Sequence, residues 1–461
     1  MTSTISRQGA TRIPGRRALV LNSAAALLTV IAFCVARGPT DSFLYDAAQY
    51  WNGPIALVNG TNAADVGALS MRGALTPLVY LPPAFVSSAL GQVSAGWAVL
   101  VWNSLLAAAV CVFLLPRIAA VVAPGGTLVR IWLSAVLGGA VFSGFAQHPL
   151  LDTWAVFAAL TGFYLLVRGH RWWTAVLAGI AFAVSVNLRP SYVVPLAIAV
   201  AVLLVVNRRG VGLMVAGAVL GLIPQFVLNL VHYGLVGVVP YGTSSLSAVQ
   251  AAQATYAVRY DTILGLDRHP QQWYCDPVYA ARVVGDSDPK DQWGVVASIV
   301  DNLPHSLWFL TEKAAASLQW SAVTPYAHAP GAAISLTALL TVGIASTGLV
   351  ALVVRAVLAR HDRVTFVVTL SILGFWLGSL AALVLSTPET RFAIPLVAVG
   401  LVGILTAVPT RIPSRQSARP VVIGIAASVL VSLALFGAGR AGLAHPVPPG
   451  PLQSASTCAS L

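Results

Sequence analysis

The sequence predicts an all-α, polytopic membrane protein, a helical bundle of about 11 transmembrane helices with further helices beside the membrane. Three observations support this fold class. Of the 461 residues, 57% are hydrophobic. Only 9% are charged, whereas soluble domains average about 25%. Apolar runs recur along the chain, each near the roughly 20 residues that a helix needs to cross a bilayer. A surface so poor in charge must face mostly lipid.

The predicted spans form two groups, separated by a long polar segment. The first group comprises 18–36, 96–115, 130–147, 152–167, 173–188, 191–206 and 211–231, and the second comprises 331–354, 364–385, 392–409 and 420–437. The first run is predicted to be a retained helix, because no small-residue cleavage site followed by a polar mature domain comes after it.

The segments between the spans alternate in charge. One alternate set holds 16 of the 26 basic residues and a single acid, Asp362, while the other holds ten basic and 13 acidic residues. The basic side is predicted to be cytoplasmic by the positive-inside rule, which places the N-terminus inside and the C-terminus outside. The net charge of +12 therefore indicates topology and contact with anionic lipid. Nucleic-acid binding is not expected, since it would need the arginines on one folded surface.

This topology predicts one membrane domain and no separable soluble domain. Residues 1–17 form a basic cytoplasmic tail, and 18–437 form the membrane domain. That domain includes two long external segments, 37–95 and 232–330. Within the second, 292–320 resumes a helical pattern that is too polar for a span, and we expect a helix lying on or dipping into the membrane. Residues 438–461 form an external Pro/Ser-rich tail.

Four cysteines bear on the external segments. Cys34 and Cys111 lie in predicted helices, where a thiol behaves as a small apolar group. Cys275 and Cys458 are both predicted outside, on the oxidising side. They either form a disulfide or remain two free thiols, because spacing does not decide connectivity. The disulfide is the favoured alternative.

The first external segment opens with DSFLYDAAQYWNGP, residues 41–54. Asp46 and Tyr50 are four residues apart, so they share one side of the predicted helix. Tyr45, Tyr50 and Trp51 are typical of a helix anchored at headgroup level. The Asn-Gly-Pro that follows is expected to end it.

Further ionisable residues recur at the same predicted edge of the membrane, in the turns that join successive spans: His148 and Asp152, then Arg189, then Glu389 and Arg391. Such groups are costly near a bilayer unless they are paired or face a wet cavity. Taken singly, each is better explained as a helix cap or a solvated helix end. Their recurrence with opposite signs predicts a shared polar site opposite Asp46.

These residues resemble the GT-C superfamily of integral membrane glycosyltransferases. LYDAAQYW is similar to the family's first external loop, with Asp46 as its carboxylate. HPLLDTWAVFAALTGFYLLVRG is similar to its small–Pro–x–x–Asp turn, with Asp152 as the second acid. LRPSYVVPL and ETRFAIPLVAVGLV look like its basic external turns. The resemblance covers the first half of the chain and 386–405, and it is weak over 232–330. The chain departs from members with an adjacent Asp-Glu pair, because Ala47 follows Asp46.

The resemblance implies transfer of a sugar from a polyprenyl-phosphate donor to an acceptor on the outer face of the cell membrane. The preference for arginine over lysine, with abundant Ala, Val and Gly, indicates a GC-rich, actinobacterial genome. For that source the resemblance implies mannose or arabinofuranose, passed to an envelope glycolipid or polysaccharide. No cofactor is expected. A divalent metal at Asp152 and His148 is the less favoured alternative.

Each candidate residue is given a predicted role. Asp46 is the general base for the acceptor hydroxyl, and desolvation is expected to raise its pKa. Arg189 and Arg391 bind the donor phosphate, ahead of Arg72 and Arg259. Asp152 and His148 orient the acceptor. The remaining substrate-binding candidates are Tyr45, Tyr50, Trp51 and Glu389.

Two other functions stay open on the sequence. A flippase or transporter of lipid-linked saccharides would use the same charges as part of a pathway and would carry charged residues in mid-helix. A non-catalytic envelope scaffold would tolerate Asn at position 46.

Overall fold

The computed structural model describes most of the chain. The described residues are 15–40, 42–61, 72–91, 94–169, 171–261, 271–284, 289–331, 335–408, 415–448 and 458. The predicted N-terminal tail therefore lies almost wholly outside them, as does much of the predicted C-terminal tail.

The described chain is mostly helical, in agreement with the predicted fold class. In chain order the helices are α1 (Arg16–Val35), α2 (Tyr45–Val58), α3 (Thr76–Leu90), α4 (Ala95–Val122), α5 (Thr127–Gln147), α6 (Leu151–Arg168), α7 (Trp172–Leu188), α8 (Pro190–Leu203), α9 (Arg208–Tyr233), α10 (Thr243–Gln253), α11 (Gln292–Asp301), α12 (Leu303–Ser317), α13 (Leu336–Leu358), α14 (Arg363–Val384), α15 (Thr390–Ala407) and α16 (Arg415–Ala441).

Among the described residues, nine helices are long and apolar enough to cross a membrane: α1, α4, α5, α6, α9, α13, α14, α15 and the part of α16 from Val422. The chain is thus a multi-pass membrane protein. Two predicted spans, 173–188 and 191–206, correspond to the shorter apolar helices α7 and α8. The predicted count of about 11 spans is therefore not confirmed.

Helix α15 lies at the centre of the bundle, with 83% of its apolar window buried. It packs against α13, α4 and α5, while α7 packs between α6 and α9, and α8 packs on α14. Close packing relies on glycine in several places. A Cβ on Gly348 of α13 would lie 2.0 Å from the carbonyl oxygen of Gly400 in α15. Small residues of this kind let membrane helices approach closely.

Helix α2 is longer than the sequence predicts. The expectation that residues 52–54 end it is wrong, because α2 passes through Pro54 and reaches Val58. Proline removes one backbone N–H, but the next turn is held by the Asn59 N–H, which donates to the Ile55 carbonyl at 3.0 Å. Gly60, with φ of 84°, then turns the chain away.

The described part of segment 232–330 contains more secondary structure than its polar sequence suggests. It contains α10, α11 and α12, with a short helical turn over 277–284. It also contains a two-stranded antiparallel hairpin that the sequence analysis did not predict, β1 (Val258–Asp261) and β2 (Gln271–Tyr274). Helices α11 and α12 cover the predicted 292–320 helix, and neither is long enough to count as a span.

A disulfide ties the C-terminal tail to this hairpin. The Sγ atoms of Cys275 and Cys458 are bonded, and the two positions are 183 residues apart in sequence. The tail also runs along β2, since the Cys275 N–H donates to the His445 carbonyl at 3.1 Å and the Val447 N–H donates to the Trp273 carbonyl at 2.9 Å. The described part of the tail is therefore held against the fold.

Candidate active site

Eight charged side chains from six separate parts of the chain converge at one end of the bundle. We call them the charged cluster: Asp46, Arg72, Asp152, Arg189, Arg259, Asp261, Glu389 and Arg391. They come from α2, the chain before α3, the first turn of α6, the turn after α7, strand β1 and the start of α15. Opposite charges in this number are tolerated at a membrane edge because they pair with one another.

Asp46 lies between two arginines. Its Oδ2 accepts a hydrogen bond from Arg391 Nη2 at 2.7 Å, and its Oδ1 accepts one from Arg72 Nη2 at 3.2 Å. The Asp46 side chain keeps 19% of its surface exposed, whereas that of Arg391 keeps 4%. The predicted convergence of Asp46 with Arg391, 345 residues further along the chain, is therefore present in the structure.

The chain enters α2 through an unusual backbone conformation. Tyr45 has φ of 52°, in the left-handed region that few L-residues adopt. Such strain persists only where the surroundings enforce it, and it is frequent at functional sites. Here the enforcing contact is Tyr326, whose hydroxyl lies 3.3 Å from the Ala47 N–H and 3.4 Å from the Leu44 carbonyl.

Asp152 and Arg189 form a second buried pair. Arg189 Nη2 lies 2.7 Å from Asp152 Oδ1 and 2.8 Å from its Oδ2. Phe392 joins this pair to the first, because its ring centroid lies 4.9 Å from the Arg189 guanidinium and 5.3 Å from that of Arg391. The two arginines predicted to bind phosphate thus flank one aromatic ring.

Glu389 lies between Arg259 and Arg391 and contacts both guanidinium groups. Arg259 also contacts Asp261 at 3.1 Å. Strand β1 therefore contributes two members of the charged cluster. Neither is among the main site candidates predicted from the sequence. On the sequence, Arg259 ranks below Arg189 and Arg391, and no motif singles out Asp261. The available signal was the alternation of apolar or aromatic with charged residues in VRYD, residues 258–261, which is typical of a strand.

Several buried guanidinium N–H groups of the charged cluster have no hydrogen-bond partner among the described residues: Arg72 Nε, Arg189 Nε, Arg259 Nε and Arg391 Nη1. Buried donors are nearly always satisfied in folded proteins, and leaving one unsatisfied costs about 1–3 kcal/mol. Four such donors within one cluster are therefore suited to binding an anion.

The environment sets the ionisation of the carboxylates. Burial alone would raise the pKa of Asp46, but the guanidinium groups of Arg391, Arg72 and Arg189 outweigh it and hold that pKa well below its ordinary value. The predicted rise is therefore wrong, because charge pairing exceeds desolvation here. Asp261 has the opposite balance. Its burial exceeds the opposing effect of Arg259 and raises its pKa to about 6.

A groove opens from the charged cluster between α8 and α14. Asp152, Arg189 and Arg391 form its polar end, and its apolar wall includes Pro195, Leu383, Phe392 and Pro395. Its volume is about 50 Å3. Val193 and Leu377 beside it are about half exposed. The groove thus joins paired guanidinium groups to apolar helix surface.

The three aromatic candidates of α2 lie at different depths. Tyr45 is partly exposed and packs on Tyr326, with ring centroids 5.6 Å apart. Tyr50 is fully buried, and the Arg72 guanidinium lies 5.4 Å from its ring centroid. Trp51 is 6% exposed and meets Phe43 edge to face. Sugar stacking is therefore open to Tyr45 but is not favoured for Tyr50 or Trp51.

His148 and Asp152 are four residues apart, but they do not share a helical face, because α6 begins only at Leu151. It is buried, and its ring meets Tyr326 edge to face at 4.9 Å. Burial lowers the pKa of His148 to about 4. Tyr326, which sequence reasoning missed, thus links His148, Tyr45 and the start of α2.

No protein-family model and no curated protein sequence matches this chain. Among solved structures, the chain is similar to the archaeal oligosaccharyltransferase AglB from Archaeoglobus fulgidus, in complex with an inhibitory peptide and a dolichol-phosphate. The TM-score is 0.42 at 13% sequence identity, and the match covers 94% of this chain and 56% of AglB. Similarity at this level does not establish a shared fold family, so the function has to be inferred from the site itself.

Proposed function

We propose that this protein is a membrane glycosyltransferase of the GT-C type. It transfers a sugar, mannose or arabinofuranose, from a polyprenyl-phosphate donor to an envelope glycolipid or polysaccharide. By the charge asymmetry of its loops, the charged cluster faces the outer side of the cell membrane.

One observation carries the proposal: the buried guanidinium groups of Arg189 and Arg391, each with an unsatisfied donor, lie at the polar end of a groove that also has an apolar wall. A polyprenyl phosphate has this same division into an anionic head and a long apolar chain. Arg189 and Arg391 would hold the phosphate, since guanidinium groups bind phosphate oxygens in pairs. The polyprenyl chain would lie along α8 and α14, where apolar side chains are exposed.

In the transfer step the acceptor hydroxyl attacks the anomeric carbon from the face opposite the phosphate. A bond forms between the acceptor oxygen and that carbon, and the bond from the carbon to the phosphate oxygen breaks. The hydroxyl proton passes to the Asp46 carboxylate. The new negative charge on the departing polyprenyl phosphate is stabilised by Arg189 and Arg391.

The lowered pKa of Asp46 is compatible with this role when the donor is bound. In the described state Arg391 and Arg72 both contact its carboxylate. A phosphate bound by Arg391 would weaken the contact of that guanidinium group with Asp46, and the pKa of Asp46 would rise. The Asp46 carboxylate would then become more basic only when the donor is bound. In the empty site it would stay ionised.

A flippase or transporter fits the arrangement less well. In the nine candidate spans every described charged side chain lies within about two turns of a helix end. A pathway across the membrane would need charged groups at mid-depth. Charges confined to the ends favour chemistry at the membrane surface.

The test is transfer by the full-length protein in proteoliposomes. Radiolabelled polyprenyl-phosphate mannose and polyprenyl-phosphate arabinofuranose are supplied separately, with an envelope lipid extract as acceptor. We expect label in the extract from one donor, and a decrease of about 10²-fold or more for Asp46→Asn, from loss of the base.

Asp301→Asn is the matched control, because Asp301 is an exposed acid at the end of α11, outside the charged cluster. It should transfer at the wild-type rate. Equal transfer by Asp46→Asn and Asp301→Asn would contradict the catalytic role and favour the scaffold alternative.

A further inference from the structure

A second cavity lies apart from the residues of the charged cluster, beyond the C-terminal end of β2. It has a volume of about 450 Å3. Three pieces of chain line it: the turn that follows β2, one side of α12, and the end of α16 with the start of the tail. We call it the β2 cavity.

The α12 wall combines an aromatic ring with a buried acid. Pro304, Trp308 and Glu312 are spaced by four residues, so they form one stripe along the helix. Trp308 is 55% exposed, whereas Glu312 is 6% exposed. The ring thus lies open to a ligand, with the carboxylate deeper in the cavity.

The opposite walls add further polar groups. Asp276 follows β2, and one oxygen of its carboxylate already accepts the N–H groups of Val278 and Tyr279, at 2.8 and 3.2 Å. His305 of α12 lies 3.2 Å from Arg282, and His445 comes from the tail. The cavity therefore offers hydrogen-bond acceptors, imidazole rings and one accessible indole.

This combination discriminates between ligand classes. Glu312 and Asp276 disfavour a phosphate or other anion, and burying them against an alkyl chain would be costly. Among the described residues no three His, Cys, Asp or Glu side chains come together to hold a metal ion. A saccharide suits this combination, because its C–H face can pack on the Trp308 ring while its hydroxyls donate to the carboxylates of Glu312 and Asp276.

We propose that the β2 cavity binds a neutral saccharide, the glycan part of the acceptor, with Trp308 as the stacking platform and Glu312 as a hydroxyl acceptor. The identification of that saccharide as the acceptor rests on the proposed transferase function, whereas saccharide binding does not. The hairpin connects the two sites, since β1 carries Arg259 of the charged cluster and β2 leads into Cys275 and Asp276.

Saturation-transfer NMR on the full-length protein tests the binding. The probes are neutral tetrasaccharides of mannose, arabinofuranose and glucose, and the detergent must be free of sugar headgroups. We expect binding of at least one probe, and a loss of at least tenfold in affinity for Trp308→Ala and for Glu312→Gln. Trp293→Ala is the matched control, because Trp293 on the neighbouring α11 is 81% exposed and does not line the cavity.

If no probe binds the wild type, or if Trp308→Ala binds as tightly as Trp293→Ala, the proposal is overturned and Trp308 is better explained as a membrane-interface anchor. Asp46→Asn should bind the same probe with unchanged affinity. If the probe binds but no sugar is transferred, the transferase proposal is refuted and the saccharide site is supported. If sugar is transferred but no probe binds, the saccharide site is refuted and the transferase proposal is supported.

Discussion

At the scale of single residues, buried acids in this protein have opposite ionisation behaviour for identifiable reasons. Arg391 and Arg72 hold the Asp46 pKa low against the effect of burial. Among the residues that the structure describes, no guanidinium group pairs with Glu312. Burial and the nearby charge of Asp276 raise its pKa to about 7, against a smaller opposing contribution from the Trp308 indole. Charge partners rather than depth therefore separate the two groups.

This difference predicts how stability depends on pH. Because the folded pKa of Glu312 lies above its ordinary value of 4.5, the folded state binds its proton more tightly, and stability is lost as pH rises through about 7. Glu312→Gln removes that loss. The melting temperature of Glu312→Gln, measured in detergent, should rise relative to that of the wild type as the pH increases from 5 to 8. A constant difference for Glu312→Gln would contradict the raised pKa.

At the scale of helices, the bundle is held by close backbone contact between α13 and α15. Cβ atoms built on Gly348 and Gly403 would each lie about 2 Å from a carbonyl oxygen of the facing helix, at 2.0 and 2.1 Å. The hydrophobic effect does not favour association of two helices in lipid, so close van der Waals contact stabilises the helix pair instead. Since α15 carries Arg391 at its start, this interface also positions the charged cluster.

Substitution at this interface gives a matched pair of variants. Gly348→Ala adds a methyl group where there is no space, and overpacking of this kind costs about 1–3 kcal/mol. Gly343→Ala lies on the same helix, with nothing within 4 Å of the added Cβ, and should be neutral or slightly stabilising. Melting temperatures in detergent should fall for the first variant alone. Equal melting temperatures would show that α13 and α15 are not packed as described.

At the scale of the whole molecule, segments far apart in the chain are brought to one end of the bundle. Asp46 comes from the first turn of α2, Arg189 from the turn after α7 and Arg391 from the start of α15, while Arg259 comes from the hairpin. The hairpin is in turn tied to the C-terminus by the Cys275–Cys458 disulfide and by the tail along β2. The site therefore depends on nearly the full length of the chain.

The disulfide can be checked by mass spectrometry of the native protein without reductant. A linked peptide containing Cys275 and Cys458 should be found. Cys34 and Cys111 are buried and free, so they should react with an alkylating reagent only after unfolding. Alkylation of Cys275 and Cys458 in the native, unreduced protein would contradict the pairing.

The membrane class and most helix positions could be predicted from the sequence, as could the gathering of charged residues near helix ends. The first two properties are local, because burial in lipid depends on the hydrophobicity of about 20 consecutive residues. The pairing of the charges, the lowered pKa of Asp46, the membership of Arg72, Arg259 and Asp261 in the charged cluster, and the hairpin became evident only in the folded structure. Each of these depends on groups distant in sequence and on their joint removal from water, and no local pattern encodes that.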